Sequence, residues 1–279
     1  MAVDPFWDNV VLRMTFDGTL EDVSNSGHVL TPESYTGTGA AFFATDGKFN
    51  DCYHFSTTNN ATVRLVEDGL NPDWDLGDED FTLEFWWGAN TYHPNGTSYF
   101  AVFDPVNGQR SFRFGVASYS AGTGAGRIYG QMWDGTSATP FVEVSMLYGA
   151  SYFDLRNRWT HFCFERAGGV LRLYVDGVMR AKSAFSASKV VRPQSLSGHA
   201  LTINGVRSSA GGTYLGAGQA WDDLRFTKGV ARYNSDAGFA LPTEAYPTSS
   251  GSEPVEVNPA GGGLALEGQV PTVIGQQVV

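Results

Sequence analysis

Positive charge is scarce in this chain. Eighteen Lys and Arg face twenty-nine Asp and Glu, a formal net charge of −11. That balance repels phosphate backbones and anionic headgroups at long range, so nucleic acid and membrane surfaces are excluded as expected partners. No stretch of about 18 consecutive apolar residues is present to span a bilayer. The opening MAVDPFWDNV has neither a basic segment nor a long apolar one, and the expectation is synthesis in a cytoplasm without signal-directed export. Cysteine is nearly missing too: Cys52 and Cys163 are too few for a disulfide-stapled scaffold and are expected to be free, buried thiols.

Catalytic wording is equally thin. The five histidines, at positions 28, 54, 93, 161 and 199, show no metal-ligand spacing. No Gly-x-Ser-x-Gly elbow occurs, and neither cysteine has the context of a nucleophile. The run Gly122 to Gly126 ends at Arg127, where a dinucleotide loop needs a third glycine, and no helical pattern follows.

What the chain does have is aromatic residues at 14%, 34 glycines and almost no helical periodicity, a mixture that suits short strands joined by turns. In the first segment Val10, Leu12, Met14 and Phe16 alternate with Val11, Arg13 and Thr15 before Asp17-Gly18, the pattern of a half-buried strand. Further along, Leu171, Leu173 and Val175 share one face and Arg172 and Tyr174 the other. Asp176-Gly177 then supplies the positive φ of a type I′ hairpin. Strand-like segments recur between, including FTLEFWW, SYFAVF, SFRFGV, RIYGQMW, FVEVSML, WTHFCFE and WDDLRFT. Roughly a dozen such strands fill the two packed antiparallel sheets of an all-β jelly-roll sandwich.

The wording carries a resemblance. The Trp159-x-His161 strand, the glycine turn and the Leu-Tyr-Val-Asp-Gly hairpin resemble the laminin-G-like, concanavalin-A-like jelly rolls. Asp80 to Trp86 and Trp221 to Phe226 are similar to two further strands of that family. The ending Lys228 to Pro247, KGVARYNSDAGFALPTEAYP, resembles that of laminin-G-like proteins of tailed bacteriophages. The match runs over about residues 8–247, which sets a domain at 1–247. Residues 248–279 are Gly/Pro-rich and hold too little apolar surface to fold alone. They read as an extended C-terminal arm that docks on a neighbouring subunit through Leu264, Leu266, Val273 and Ile274. Pro259 to Val273 is similar to segments near the ends of phage structural proteins.

The resemblance implies a noncatalytic virion protein, multimeric in the particle, serving capsid decoration or tail or fibre attachment. Two other readings stand beside it, a carbohydrate-binding adhesin for host surface glycans and a glycoside hydrolase with an atypical acid pair. Hydrolases of this fold space two carboxylates along one strand, about 5–5.5 Å apart in retaining enzymes. Here the corresponding strand offers only Glu84 between Thr82 and Trp86, so Glu84 is expected to be structural and the protein not to be an enzyme. His161 is expected to pack. A sugar surface would draw on Trp86, Arg113, Tyr129 and Trp133, with Gln131 beside them and Tyr92 in a long loop; the same side chains would alternatively fill a second buried face. Related domains often hold a structural calcium ion. Asp222 shares the parity of Leu224 and Phe226, and Asp17 ends the first strand; a cation taking about six to eight oxygens would satisfy both carboxylates, as would an Arg or backbone amides.

Overall fold

The computed structural model describes residues 3–34, 41–55, 63–89, 97–104, 109–118, 126–149, 153–193, 200–206, 214–215 and 219–249. Tyr92 and the arm anchors Leu264, Leu266, Val273 and Ile274 lie outside the described residues. Two antiparallel sheets pack face to face. The larger holds β1 (Val10–Met14), β3 (Phe42–Ala44), β4 (Cys52–Phe55), β6 (Phe81–Ala89), β11 (Arg158–Ala167), β12 (Val170–Val175), β13 (Val178–Ala184) and β17 (Gln219–Lys228). Its order is β13-β12-β11-β6-β17-β4-β3, with β1 also paired to β17. The second sheet holds β2 (Thr31–Ser34), β5 (Val63–Asp68), β7 (Thr97–Asp104), β8 (Gln109–Ser118), β9 (Gly126–Met132), β10 (Val142–Tyr148) and β14 (Ala200–Ile203), in the order β10-β9-β8-β7-β14-β5-β2. Two short strands, β15 (Gly205–Val206) and β16 (Tyr214–Leu215), form a separate ribbon. The all-β, two-sheet sandwich expected from the strand pattern is the fold, and both cysteines are free and buried.

Strand β6 shows how the alternation works. Phe81, Leu83, Phe85 and Trp87 point into the core, where Phe85 stacks on Trp221 at 4.1 Å and Phe81 on Phe226 at 5.8 Å. Phe226 in turn stacks on Phe100 of the opposite sheet at 5.6 Å, so aromatic rings join the two layers. Each such side chain contributes on the order of 1.5–3 kcal/mol by leaving water. The Asp176-Gly177 turn has φ of 51° and 72°, as the hairpin wording requires.

The outer face of the larger sheet departs from the half-buried expectation. Arg13, Thr82, Glu84, Trp86, His161 and Glu165 are all buried, although they lie opposite the core. The cover is the chain's own ends: Asp4 comes from before β1, and residues 229–247 return across the sheet after β17. Gly229, at φ 80°, makes the turn. Arg232 then grips Asp4 with two hydrogen bonds of 2.9 Å, while Tyr233 donates to Glu84 Oε2 at 2.6 Å. The backbone amides of Tyr233 and Asn234 donate to Glu165 at 2.8 and 2.7 Å. Farther on, Phe239 stacks on Tyr233 at 3.6 Å, and Tyr246 packs against Arg225, with 4.0 Å from guanidinium to ring centre. Arg13 closes the strap, reaching Asp223 and the carbonyls of Tyr246 and Pro247.

Charge is balanced within this layer. Arg225 joins Glu84 at 2.7 Å and Asp4 at 2.7 Å, and Arg232 joins Asp4, so two guanidiniums meet two carboxylates. Burial alone would push the Glu84 carboxyl up, but Arg225 and His161 outweigh it and hold the group well below the usual range. Removing one member of a buried ion pair leaves an uncompensated charge, which costs about 3–5 kcal/mol. Glu84→Gln is therefore expected to lower unfolding free energy by that amount in a denaturant titration. Asp236→Asn, which breaks the exposed pairs with Arg172 and Lys182, is expected to leave the curve unmoved. Equal curves for both variants would show that the buried network does not hold the strap.

Candidate functional site

The residues predicted to form one sugar surface divide between the sheets. Trp86 faces outward from β6, but it is 2% exposed, covered by the Lys48 ammonium 4.3 Å from its ring and flanked by Phe49 and His161. Of the two readings of Trp86 left open by the sequence, the buried second face is the one this position matches. Arg113, Tyr129 and Trp133 come together on the outer face of the other sheet.

There the register sets straight rows across the strands. Ala101, Arg113, Gln131 and Glu143 pair in succession through β7, β8, β9 and β10, and the next outward row is Tyr99, Gly115, Tyr129 and Ser145. Gly115 has to be glycine because an added Cβ would lie 2.0 Å from the Ser98 carbonyl oxygen. Its bare surface lets Tyr99 and Tyr129 meet edge to face, with centroids 5.5 Å apart and hydroxyls hydrogen-bonded. Burial pushes the Tyr129 phenol up, against the opposing pull of Arg113, so it stays protonated.

The Arg113 guanidinium sits 5.0 Å from the Tyr129 ring, 5.4 Å from Tyr99 and 5.5 Å from Trp133. It donates to Gln131 Oε1 at 2.7 Å, Gln131 donates to Glu143, and Arg127 donates to Glu143 at 2.6 Å while lying 4.5 Å over Tyr129. The aromatics are thus a floor beneath the arginines rather than open platforms: Tyr129 and Trp133 are 3% and 2% exposed. The reachable groups are planar and polar. Arg127 and Glu143 keep about a quarter to a third of their side-chain surface in solvent (26% and 30%). Arg127, Glu143 and Tyr99 escaped the sequence reading. Their outward parity was visible there, but the register that aligns four strands was not.

A second arrangement surrounds the 46–51 turn between β3 and β4. Asp222 Oδ2 accepts from the Phe49 amide at 2.8 Å, and Asp17 Oδ1 accepts from the Asp51 amide at 3.1 Å, so both carboxylates grip the same turn. The parity assigned to Asp222 is corrected. A bulge between Asp222 and Arg225, with Asp223 at φ 49°, shifts the strand, so Trp221 and Leu224 both face the core and Asp222 sits opposite Trp86 on the outer face. Its Oδ1 is buried and finds no hydrogen-bond partner among the described residues. Burial, with the charges of Asp223 and Asp17 nearby, pushes its carboxyl up to about 8 against the Phe49 amide. An orphaned buried oxygen beside a second carboxylate fits a hard cation.

Glu84 and His161 belong to neither place. His161 is buried, its Nε2 bonded to the Tyr246 hydroxyl at 2.5 Å, and Glu84 is enclosed in the arginine network. Both are packed as the sequence led one to expect.

A sandwich of two antiparallel sheets with almost no helix among the described residues is consistent with a concanavalin-A-like jelly roll. The Laminin_G_3 model of the concanavalin A-like lectin/glucanases superfamily matches residues 57–230, more than half the chain, and the chain belongs to that superfamily. No curated protein matches the sequence. Among solved structures, the chain is similar to a botulinum neurotoxin type C whose cell entry depends on interaction with two ganglioside molecules (14% identity, TM-score 0.52, 81% of this chain and 49% of that one). It is also similar to the binding domain of botulinum neurotoxin DC in complex with SialylT (14%, 0.50, 81% and 50%) and with rat synaptotagmin II (13%, 0.52, 81% and 50%). At these identities the likeness is one of fold, and the chain spans about half the length of those toxin chains.

Proposed function

We propose that this domain is a noncatalytic glycan-binding module whose recognition face is the outer side of the seven-stranded sheet around Arg113. The observation that carries the reading is the row Arg113, Gln131, Glu143 and Arg127, in which guanidinium, amide and carboxylate groups from three adjacent strands fix one another over an aromatic floor. Planar groups of this kind exchange paired hydrogen bonds with neighbouring sugar hydroxyls. Holding them in place beforehand lowers the ordering cost of binding. Lectin-fold neighbours that engage gangliosides or SialylT are consistent with the class of ligand. Hydrolysis is disfavoured because Glu84 is sealed on the other sheet and the row supplies a single carboxylate, already partnered.

A second reading places the domain on a phage particle as a decoration or tail or fibre attachment protein. The strap favours it: the phage-like wording from Lys228 to Pro247 is the segment that closes the sheet, and its last bond is Arg13 to the Pro247 carbonyl at 3.4 Å. In that reading residues 248–279 would be the arm that anchors the domain to another subunit through Leu264, Leu266, Val273 and Ile274. A structural calcium ion is proposed at Asp17 and Asp222, where it would neutralise two carboxylates and tie the 46–51 turn to β17.

On a glycan array and in follow-up titrations, saturable binding is expected, weakened about tenfold or more in Arg113→Ala with the melting temperature kept. No reducing sugar should be released; binding unchanged in Arg113→Ala, or turnover of a glycan, would reject the reading. Truncation after Pro247 is expected to preserve the melting temperature and abolish incorporation into particles, and full incorporation would remove the anchoring role. Calcium should raise the melting temperature by mass action and chelator should lower it. The same melting curve in calcium and in excess chelator, with no metal found by elemental analysis, would eliminate the ion.

A further inference from the structure

The edge hairpin of the larger sheet carries a cluster that neither the glycan face nor the calcium reading uses. Cys52 and His54 lie two residues apart on β4, and so project from the same face. That face is the outer one, because Tyr53 and Phe55 are in the core. The β3–β4 turn brings Asp46 back to them. Asp46 Oδ1 is 3.3 Å from Cys52 Sγ and 2.9 Å from His54 Nε2, and the three donor atoms all fall within 4.8 Å of one another. Around a tetrahedral zinc ion, with Zn–N near 2.0 Å and Zn–S near 2.3 Å, donor atoms stand about 3.3–3.7 Å apart. The two separations from Asp46 fall within a few tenths of an ångström of that range, and the third is within 4.8 Å.

Each donor is held from behind. The His54 ring stacks on Phe42 at 5.2 Å with 4° between planes, and the Trp159 indole donates to the Asp46 carbonyl at 3.1 Å. Cys52 is fully buried. The surroundings favour a cation: the carboxylates of Asp46, Asp222 and Asp51 all bear on the thiol, and with burial as the largest cause they push it well up. Without metal the thiol keeps its proton and donates it to Asp46; a divalent ion takes the place of that proton. A mixed thiolate, imidazole and carboxylate set selects a borderline-soft ion over calcium or magnesium.

We infer that Asp46, Cys52 and His54 form a three-ligand site for Zn2+, with a fourth position left for water or an incoming donor. The ion would clip the turn to β4 next to β3, the edge strand of the sheet, and edge strands benefit from being pinned.

The test uses the full chain with Zn2+ alone by calorimetry, and Co2+ as a spectroscopic substitute. One equivalent of Zn2+ should bind and raise the melting temperature. Co2+ should give a thiolate-to-metal charge-transfer band with the visible bands of a tetrahedral ion. Cys52→Ser should abolish the charge-transfer band, and His54→Ala, at a partly exposed position that tolerates truncation, should weaken Zn2+ at least about tenfold. Asp236→Asn, at the opposite edge of the same sheet, should leave both signals intact. No thiolate band in the wild-type chain under excess Co2+, or undiminished Zn2+ affinity in His54→Ala, would overturn the assignment.

Discussion

Charge buried on the outside of the eight-stranded sheet is the constraint on which the remaining architecture depends. Glu84, Glu165, Arg225 and Arg13 all project from the face opposite the core, and none is exposed beyond a few per cent. Isolated ions in such a place would each cost several kcal/mol, so they persist only if every one is paired and hydrogen-bonded. Arg225 and Glu84 pair within the sheet, as do Arg13 and Asp223, and the remaining partners come from flanking segments: Asp4 before β1, and Arg232, the backbone amides of Tyr233 and Asn234 and the Tyr246 carbonyl after β17. The outer layer is therefore complete only with both segments in place, which couples residues more than two hundred positions apart.

Sealing one sheet leaves the outer face of the other as the proposed recognition surface. The larger sheet is buried on both sides over its centre, and the aromatic residues of that central part, Trp86 among them, are internal. The seven-stranded sheet carries a lighter outer layer in which arginines lie over tyrosine and tryptophan and leave polar tips in solvent. In the proposed reading, recognition there would rest on hydrogen-bonding groups held by packing, with the rings acting as support. The bulge at Asp222 adds a separate feature at the rim, where Asp17 and Asp222 meet the 46–51 turn.

Local periodicity made much of this legible. The alternation in β6 and in the β12–β13 hairpin and the Asp176-Gly177 turn were readable from residues alone. So was the weight of the Lys228 to Pro247 wording, whose physical meaning is now plain: Arg232, Tyr233, Phe239 and Tyr246 are the side chains that lock the strap. Three things were not readable. Alternation cannot distinguish solvent from a second buried layer, which is why Arg13 read as half-exposed and Trp86 stood between a sugar surface and a second buried face. A bulge with Asp223 at positive φ reverses parity, so Asp222, expected to face inward or to the rim, turns to the outer face at the rim. Long-range register, which aligns Arg113 with Gln131 and Glu143 and returns Asp46 to Cys52 and His54, follows from sheet topology and leaves no local trace.

The claim that the recognition face lies on the seven-stranded sheet is tested most directly by nuclear magnetic resonance of side chains in the presence of a bound glycan. The account predicts shifts at the Arg113 guanidinium and the Trp133 indole, whose Nε1 donates to the Ala138 carbonyl at 3.1 Å, while the Trp86 indole stays still under its cover. Shifts at Trp86 with Trp133 and Arg113 silent would place binding on the sealed sheet and contradict it.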